Sequence, residues 1–190
     1  VLASGAYGAG IALQDFDGKA LGMSNAFAAT ADNPSALFYN PAGITQLDGM
    51  QGEASLTVVQ PNARFTADPG EGSDQRAETN PIPIPALFGT AEITDFLYVG
   101  LGTFVPYGLA IDWGRDWSGR YIFDDAKIED IETNLNVATK FQLGADTVLS
   151  FAAGGSISMV DAVFRRNFDQ RAIGAPDAHA KVILSTNDDL

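Results

Sequence analysis

The sequence contains no cysteine and a single histidine among its 190 residues. Without cysteine it can form no internal disulfide and no thiolate metal site, a composition that suits an exported bacterial protein. His179 lies in a polar tail, so the pattern offers no support for a Ser-His-Asp triad. The acidic pairs Asp124-Asp125 and Glu129-Asp130 lack the ligand spacing of a calcium-binding loop. We therefore expect no enzymatic activity, no metal site and no cofactor.

Charged residues are scarce, at 18% of the sequence against about 25% in a typical soluble domain. Basic residues are the rarer sign, because Lys and Arg number 11 and Asp and Glu number 24, which gives a net charge of −13. A nucleic-acid-binding protein needs basic surfaces to meet phosphates. The charge balance therefore excludes a nucleic-acid partner.

Long hydrophobic runs are also missing, although hydrophobic residues make up 46% of the sequence. A transmembrane helix needs about 18 or more consecutive apolar residues, so none is indicated. A transmembrane β-strand needs only about 9–11 residues. The pattern excludes membrane helices but not membrane strands.

Alternation of apolar and polar residues is what the sequence has in abundance. From Ile131 to Leu143 every second residue is apolar or threonine, and the residues between are mostly polar. Period two over this length predicts a long strand with one apolar and one polar face. Similar patterns predict four other strands, at 53–65 with a bulge, 82–91, 96–105 and 147–166, and a further short one near 181–184.

The predicted strands are joined by connections of alternating length. Residues 68–80 and 110–130 form long acidic loops, whereas 92–95 and 144–146 form tight turns. Long strands in an up-and-down antiparallel meander, with long and short connections in alternation, are typical of an outer-membrane β-barrel. A soluble antiparallel sandwich is the alternative. The fold class predicted is all-β.

The N-terminal segment differs from the rest, since Gly8 to Thr30 is rich in small residues. Its alanines predict a short helix from Ser24 to Ala31. The stretch Phe38-Tyr39-Asn40-Pro41-Ala42-Gly43 then predicts a tight turn with apolar flanks, because proline disfavours helix at the residue before it. Gly43 is expected to supply a backbone angle that other residues resist. An ordinary surface turn is the competing interpretation.

Four stretches resemble the long-chain fatty-acid outer-membrane transporter family, of the FadL type, in order along nearly the whole chain. They are Gly10-Ile11-Ala12-Leu13 with Ala20-Leu21-Gly22 and Asn25-Ala26-Phe27; Asn40-Pro41-Ala42; Tyr107-Gly108-Leu109-Ala110; and Asn134-Leu135-Asn136-Val137 leading into Phe141 and the strand that ends at Arg166. The resemblance implies a transmembrane antiparallel barrel of fourteen strands, plugged by an N-terminal hatch. Residues 1–50 would be the hatch, and residues 51–190 would be the first strands and loops, about five strands of a barrel truncated at its C-terminus.

The resemblance also implies a function, namely passive uptake of long-chain fatty acids or other hydrocarbons across a bacterial outer membrane. The protein would be a monomer in contact with outer-membrane lipid and lipopolysaccharide. Substrate would pass an inner pocket beside the hatch and leave sideways through the wall. A soluble or surface-exposed all-β binding module, such as an adhesin, is the alternative, and an outer-membrane hydrolase is disfavoured by the missing triad.

The resemblance assigns candidate site residues to a hatch pocket and a lateral gate, among other positions. The hatch pocket would contain Phe38, Asn40, Pro41 and Ala42, and a lateral gate at a kink of the third strand would contain Phe104, Pro106, Tyr107 and Gly108. Proline donates no backbone hydrogen bond and glycine has no side chain, so this pair can open a gap in a wall. The other interpretation is that the strand simply ends there.

Arg166 would contact the substrate carboxylate, or else face lipopolysaccharide or an acid of a neighbouring loop. Trp113 and Trp117 would form a capture surface on the outer loop, or else belong to an interfacial aromatic girdle.

Overall fold

Six strands form one antiparallel sheet in which every strand pairs with its neighbours along the chain. The computed structural model describes residues 12–68, 73–170, 176 and 178–185. The sheet contains β1 (Met50–Val59), β4 (Ile82–Thr94), β5 (Leu97–Asp112), β6 (Asp125–Gln142), β7 (Val148–Phe168) and β8 (Ala178–Ser185), while β2 (Arg64–Phe65) and β3 (Gln75–Arg76) form a hairpin in the first long loop. This meander confirms the all-β, up-and-down prediction. The sheet is open, with β1 and β8 at its edges.

The N-terminal segment holds three short helices ahead of the sheet. They are α1 (Gly18–Gly22), α2 (Ala36–Tyr39) and a 3₁₀ helix (Pro41–Gln46). We call the described residues 12–49 the hatch segment; Gly10 and Ile11 of the predicted hatch lie outside the described residues. None of the described helices combines the length and apolarity needed to cross a bilayer.

The two faces of the sheet are distinguished by β6. Leu135, Val137 and Phe141 are 57%, 45% and 50% exposed, whereas Asn136 is 7% exposed. On the side of Asn136, Lys140 donates from Nζ to the Thr45 carbonyl in the hatch segment, at 3.3 Å. We therefore call this the inner face and the opposite one the outer face. The predicted alternation along β6 is confirmed.

The core lies between the hatch segment and the inner face. The rings of Phe16 and Phe38 pack against Phe104 at centroid distances of 5.2 and 5.0 Å, and Phe88 stacks on Phe104 at 5.9 Å. Each buried aromatic or aliphatic side chain stabilises this arrangement by about 1.5–3 kcal/mol. We call the six-stranded sheet the wall. Both the hatch segment and the wall therefore contribute to one hydrophobic core.

The predicted helix from Ser24 to Ala31 is wrong. The helix forms earlier, at α1, where the Asp17 side chain accepts a hydrogen bond from the Ala20 amide at 2.7 Å. Ser24, Asn25 and Ala31 have φ angles of 53°, 62° and 38°. A right-handed helix cannot continue through left-handed residues, so tertiary packing overrides the helix propensity of the alanines.

The interpretation that the third predicted strand ends at Pro106 is also wrong. β5 continues through Pro106 to Asp112, and its register against β6 shifts between Phe104 and Tyr107. Phe104 lies opposite Glu132 and Tyr107 opposite Asp130, two positions on the same face of β6. The irregularity accommodates the missing proline N–H and inverts the alternation, so odd residues of β5 face inward beyond it.

Candidate functional site

The wall is interrupted between β4 and β5. Their pairing runs from Thr94 and Leu97 to Leu87 and Thr103 and ends there. Beyond that point β4 pairs with β1, as in the Pro85–Leu56 partnership, while β5 continues alongside β6. Pro83 and Pro85 have no N–H to offer β5, which disfavours regular pairing at this part of β4. We call this unpaired stretch, between Ile82–Ala86 and Phe104–Ile111, the wall gap.

The start of the hatch segment occupies the wall gap. Ala12 forms an antiparallel bridge with Tyr107, and the Leu13 amide donates to the Pro106 carbonyl at 2.8 Å. Since Tyr107 also pairs with Asp130 on β6, Ala12 lies on the edge of β5 that β4 has left. The main chain at residues 12–13 thus closes part of the opening.

Gly108 accommodates the side chain that fills the gap. A Cβ built at Gly108 would lie 3.1 Å from Leu13 Cδ1. Leu13 also packs against the hydrophobic core. Three of the predicted gate residues, Pro106, Tyr107 and Gly108, therefore meet the hatch segment directly. The fourth, Phe104, is buried in the aromatic core beside them.

Polar side chains of the wall hold the rest of the hatch segment. Lys140 Nζ contacts the Tyr98 hydroxyl at 2.5 Å as well as the Thr45 carbonyl. Thr45 Oγ1 lies 2.8 Å from Ser150 Oγ, and Asn134 Nδ2 donates to the Leu37 carbonyl at 3.3 Å. The contacts of Lys140 and Asn134 use main-chain carbonyls of the short helices, and the contact of Ser150 uses the Thr45 side chain.

The predicted hatch-pocket residues do not share one pocket. Phe38 belongs to the aromatic core, and Pro41 begins the 3₁₀ helix. Asn40 and Ala42 line a polar cavity of about 750 Å³, together with Lys140 and Ser150. Asn40 Nδ2 also donates to the Ala28 carbonyl at 2.8 Å, which ties the turn to the preceding segment.

Two residues of this turn, Gly43 and Tyr39, are constrained by the residues packed around them. A Cβ at Gly43 would lie 2.4 Å from the Ala31 Cβ, whereas the described glycines with positive φ are Gly49 and Gly114. The expectation that Gly43 supplies an unusual angle is therefore wrong: the site requires space. Burial raises the pKa of the Tyr39 phenol, so it stays protonated and donates to the Gln14 carbonyl.

A second cavity, of about 470 Å³, lies on the inner face at the far end of β5, β6, β7 and β8. Ile111, Ala126, Phe164 and Val182 are successive register partners across these strands, so their side chains share the inner face. Its lining also includes Leu109, Ile122, Phe123, Arg165, Arg166, Phe168 and Ala180. We call it the apolar cavity.

Arg166 is the cation that faces the apolar cavity. It alternates with Phe164 and Phe168 along β7, and its guanidinium lies 4.3 Å from the Phe168 ring centroid. Among the described residues no carboxylate pairs with Arg166, whereas Arg165, on the outer face, forms an ion pair with Asp125. The structure thus places an available positive charge at the edge of an apolar space.

The outer-loop tryptophans stack on each other, with ring centroids 4.8 Å apart. Trp117 is 6% exposed, packs against Phe65 and donates from Nε1 to the Phe123 carbonyl at 2.7 Å. It forms the centre of the outer loops and offers no surface to a ligand in this arrangement. Trp113 is half-buried, so its role in capture stays a prediction.

Sequence reasoning did not name Leu13, Leu109 or Ile111 as site residues, although Leu13 and Leu109 lie in stretches that carry the family resemblance. Pro106 and Gly108 of β5 and the prolines of β4 were the signs of the wall gap in the sequence. Leu109 and Ile111 were assigned to a loop or its border, because the inverted alternation beyond Pro106 cannot be read from the sequence. No described cluster of three or more histidine or acidic side chains could hold a metal ion.

Comparisons with known proteins identify what the chain is similar to. The sequence model of the family "Outer membrane protein transport protein (OMPP1/FadL/TodX)" matches residues 1–189. A putative outer membrane protein of Neisseria meningitidis is 36% identical over 106 residues, which is 52% of this chain and 23% of that protein. The long-chain fatty acid transport protein of Escherichia coli is 26% identical over 162 residues, 80% of this chain and 36% of that protein.

A solved structure supports the same fold. The crystal structure of a Pseudomonas aeruginosa FadL homologue superimposes with a TM-score of 0.70 at 21% identity, covering 93% of this chain and 47% of that one. The chain spans 23% and 36% of the length of these two curated relatives. Its open sheet corresponds to part of a barrel.

Proposed function

This chain belongs to the family of outer membrane transport proteins that includes FadL and TodX, and from that premise we propose that it forms the hatch and first wall strands of a channel for passive uptake of long-chain fatty acids or other hydrophobic compounds. It is a bacterial outer membrane protein with the family's β-barrel fold. Its relatives are transport proteins rather than enzymes. That location and family leave no support for the soluble binding module.

The two parts of the chain are assigned different roles, with the boundary between residues 50 and 51. Residues 1–50 would act as the hatch and residues 51–190 as wall and outer loops. In support, the described hatch residues pack as a unit on the inner face and are held there by Lys140, Ser150 and Asn134.

Capture of substrate is assigned to the apolar cavity. Its volume of about 470 Å³ falls within the usual range of ligand pockets, roughly 300–1,000 Å³. The lining is almost wholly hydrocarbon, with Arg166 at its edge. A fatty acid would place its chain among Leu109, Ile111 and Phe164 and its carboxylate against Arg166, a charge-assisted pair.

Release is assigned to the wall gap. Leu109 and Ile111 line the apolar cavity, and Tyr107 and Gly108 of the same strand border the gap. A ligand that slides along β5 by a few residues therefore arrives at Leu13. The backbone hydrogen bond from Leu13 to the Pro106 carbonyl contributes only about 0.5–1.5 kcal/mol net, and the packing of Leu13 against the core adds to the cost of moving it aside.

The interrupted β4–β5 ladder, with Leu13 lying in it, is the observation on which this proposal rests. It is tested by locking the plug to the wall with the double substitution Ala12→Cys and Tyr107→Cys in an otherwise cysteine-free background. Antiparallel partners lie at a Cα separation of about 4.5–5.5 Å, which suits a disulfide. We expect uptake of labelled oleate by cells to fall about tenfold or more when the bond is oxidised, and to return on reduction.

A matched control is the pair Arg64→Cys and Arg76→Cys, which are register partners in the outer hairpin. Its disulfide should leave uptake unchanged, since it does not touch the gap. Equal uptake by the oxidised and reduced 12–107 variant, at equal surface abundance, would contradict lateral release and leave a path through the lumen.

A further inference from the structure

Three wall side chains form a chain of hydrogen bonds across the inner face, at the end of the sheet that carries the short turns. Lys140 Nζ donates to the Tyr98 hydroxyl at 2.5 Å and to the Thr45 carbonyl at 3.3 Å. The Tyr98 hydroxyl donates to Glu92 Oε1 at 3.1 Å, and Glu92 Oε2 accepts from the Gly49 amide at 2.9 Å. Both ends of the chain therefore reach the hatch segment. We call Glu92, Tyr98 and Lys140 the hatch anchor.

The direction of each hydrogen bond in the hatch anchor is fixed by chemistry. An ammonium group only donates and a carboxylate only accepts, so the single proton of the Tyr98 hydroxyl goes to Glu92. Tyr98 is 1% exposed, and Lys140 Nζ also lies 4.8 Å from its ring centroid. Hydrogen bonds to charged groups are about twice as strong as neutral ones. Removing one member therefore weakens the contacts at both ends of the chain.

The second half of the hatch segment, residues 35–49, is fastened to five neighbouring strands, and we call it the hatch base. A carboxyl oxygen of Glu53 on β1 accepts from the Ser35 amide at 3.0 Å. Leu37 fills the space above Gly100 of β5, where an added Cβ would lie 2.4 Å from Leu37 Cδ2. The hatch anchor adds β4 and β6, and the hydroxyl contact to Ser150 described above adds β7. The hatch base is thus held across the width of the wall.

The start of the hatch segment, residues 12–17, is held differently, and we call it the hatch tip. Its main-chain carbonyls accept from the hydroxyls of Ser55 and Thr57 on β1, and the Leu13 amide donates to the Pro106 carbonyl. None of these three hydrogen bonds involves a charged side chain. The hatch tip therefore lies in the wall gap on neutral contacts, whereas the hatch base is held by a network that includes an ammonium group and a carboxylate.

The polar cavity of about 750 Å³ lies against the hatch base. Asn40, Thr45 and Gln46 line it from the base, and Lys140 and Ser150 line it from the wall. Such a lining offers hydrogen bonds to water and to small hydrophilic solutes. A displaced hatch base would therefore widen a polar space, whereas a displaced hatch tip opens the wall gap beside the aromatic core.

We propose that the hatch anchor fixes the hatch base as a barrier to ions and small hydrophilic solutes, so that only the hatch tip moves when a hydrophobic ligand leaves. The proposal rests on the channel proposed above and gives the hatch segment a second function, the exclusion of polar solutes. Lys140 is the positioning residue, because its bond to the Thr45 carbonyl holds the 3₁₀ helix against the wall. The channel can then pass hydrophobic compounds without leaking ions.

The test measures the ion conductance of single molecules of the full-length protein in planar lipid bilayers, with no hydrophobic ligand present. Lys140→Met removes the donor and keeps the length of the side chain. It should raise the mean conductance about tenfold or more, since losing a hydrogen bond to a charged group shifts the ratio of displaced to seated base by that factor. Tyr98→Phe should raise it about two- to tenfold, because Lys140 keeps its bond to Thr45.

Lys127→Met is the matched control, since Lys127 lies on the outer face of the same strand and pairs with Glu129. Its conductance should equal that of the unaltered protein. Spin labels at Gln46 and Asp95 give a second measurement, in which Lys140→Met should broaden the distance distribution between hatch base and wall and Lys127→Met should not. Unchanged conductance in Lys140→Met, or an equal rise in Lys127→Met, would overturn the proposal.

Uptake of labelled oleate keeps this proposal separate from lateral release. Lys140→Met should retain uptake, and the disulfide between positions 12 and 107 should still block it, because the wall gap is unchanged. If that disulfide fails to block uptake, lateral release is contradicted while the conductance of Lys140→Met still decides whether the hatch base is the barrier. Loss of oleate uptake in Lys140→Met at normal surface abundance would show that Lys140 serves the ligand path, and would overturn its role as an anchor of the barrier alone.

Discussion

Arg165 and Arg166 are neighbours in sequence, yet their side chains lie on opposite faces of β7. Arg165 forms an ion pair with Asp125 on the outer face, and Arg166 lines the apolar cavity. Strand geometry alone gives each arginine its environment, because successive side chains point to opposite sides. The same charge thus forms an ion pair with an acid at one position and lines an apolar cavity at the next.

Replacing Arg166 should distinguish ligands by their charge. We expect Arg166→Ala to weaken binding of a fatty acid and to leave binding of an uncharged alkane nearly unchanged. The loss should be about 1.5–3 kcal/mol if the bound ligand shields the pair from water, and smaller if the pair stays exposed. Isothermal titration of the purified full-length protein with oleate and with a long-chain alkane measures both.

Lys127→Ala is the matched control, since it removes a positive charge from the outer face of β6 and Lys127 does not line the cavity. It should leave both affinities unchanged. If Arg166→Ala weakens the binding of oleate and of the alkane equally, Arg166 acts through the structure of the cavity rather than through its charge.

At the scale of a strand, the outer face of β6 separates into two zones. From Ile131 to Phe141 its outward residues are apolar or threonine, and beyond Ile131 they are Glu129, Lys127 and Asp125. Apolar side chains are stable against lipid and ion pairs such as Lys127–Glu129 are stable in water. The strands therefore project beyond the membrane, with the outer loops above them.

Val137 lies in the apolar zone of this face, so the stability of the protein should be sensitive to a charge at this position. We expect Val137→Arg to destabilise the full-length protein by about 2–4 kcal/mol, because it places a charge near the middle of the apolar band. Equilibrium unfolding by urea in lipid vesicles measures the change. Glu129→Arg, on the same face above the band, should cost less than about 1 kcal/mol.

Spin labels give an independent check on the faces. A label at Val137 should be accessible to oxygen dissolved in lipid, and a label at Asn136 should not. Lipid contact at Asn136 together with water contact at Val137 would reverse the assignment of the inner and outer faces.

For the whole molecule, the decisive feature is that the sheet is open. β1 and β8 each have an edge without a partner strand in the described residues. Unpaired main-chain groups in lipid cost several kcal/mol each, so a membrane wall must close on itself. The described sheet therefore presents two edges whose main-chain groups lipid cannot satisfy.

The isolated chain should consequently fail to insert. After dilution from urea into lipid vesicles we expect aggregation, no protease-protected product and no shift in gel mobility between heated and unheated samples. The full-length protein, refolded in parallel, should give a protease-protected product and a shift in gel mobility on heating. A protected, heat-modifiable band from the 190-residue chain alone would show that it closes its edges by another route, such as self-association.

The sequence by itself determined the all-β meander, the faces of β6 and the alternation of long loops with short turns. These features are local, since period-two alternation fixes which side chains share a face. The sequence also placed a candidate gap at Pro106 and Gly108, because proline and glycine weaken pairing wherever they occur.

Only the tertiary structure decided what the gap is and what fills it. Three features depend on contacts between distant segments of the chain. They are the loss of pairing between β4 and β5, the inverted alternation beyond Phe104 and the hydrogen bond from Leu13 to the Pro106 carbonyl. Gly43 shows the same limit at one residue, because the need for space came from Ala31 and not from its own backbone angle. Close packing couples residues that no local pattern connects, and the proposed transport site is built from such contacts.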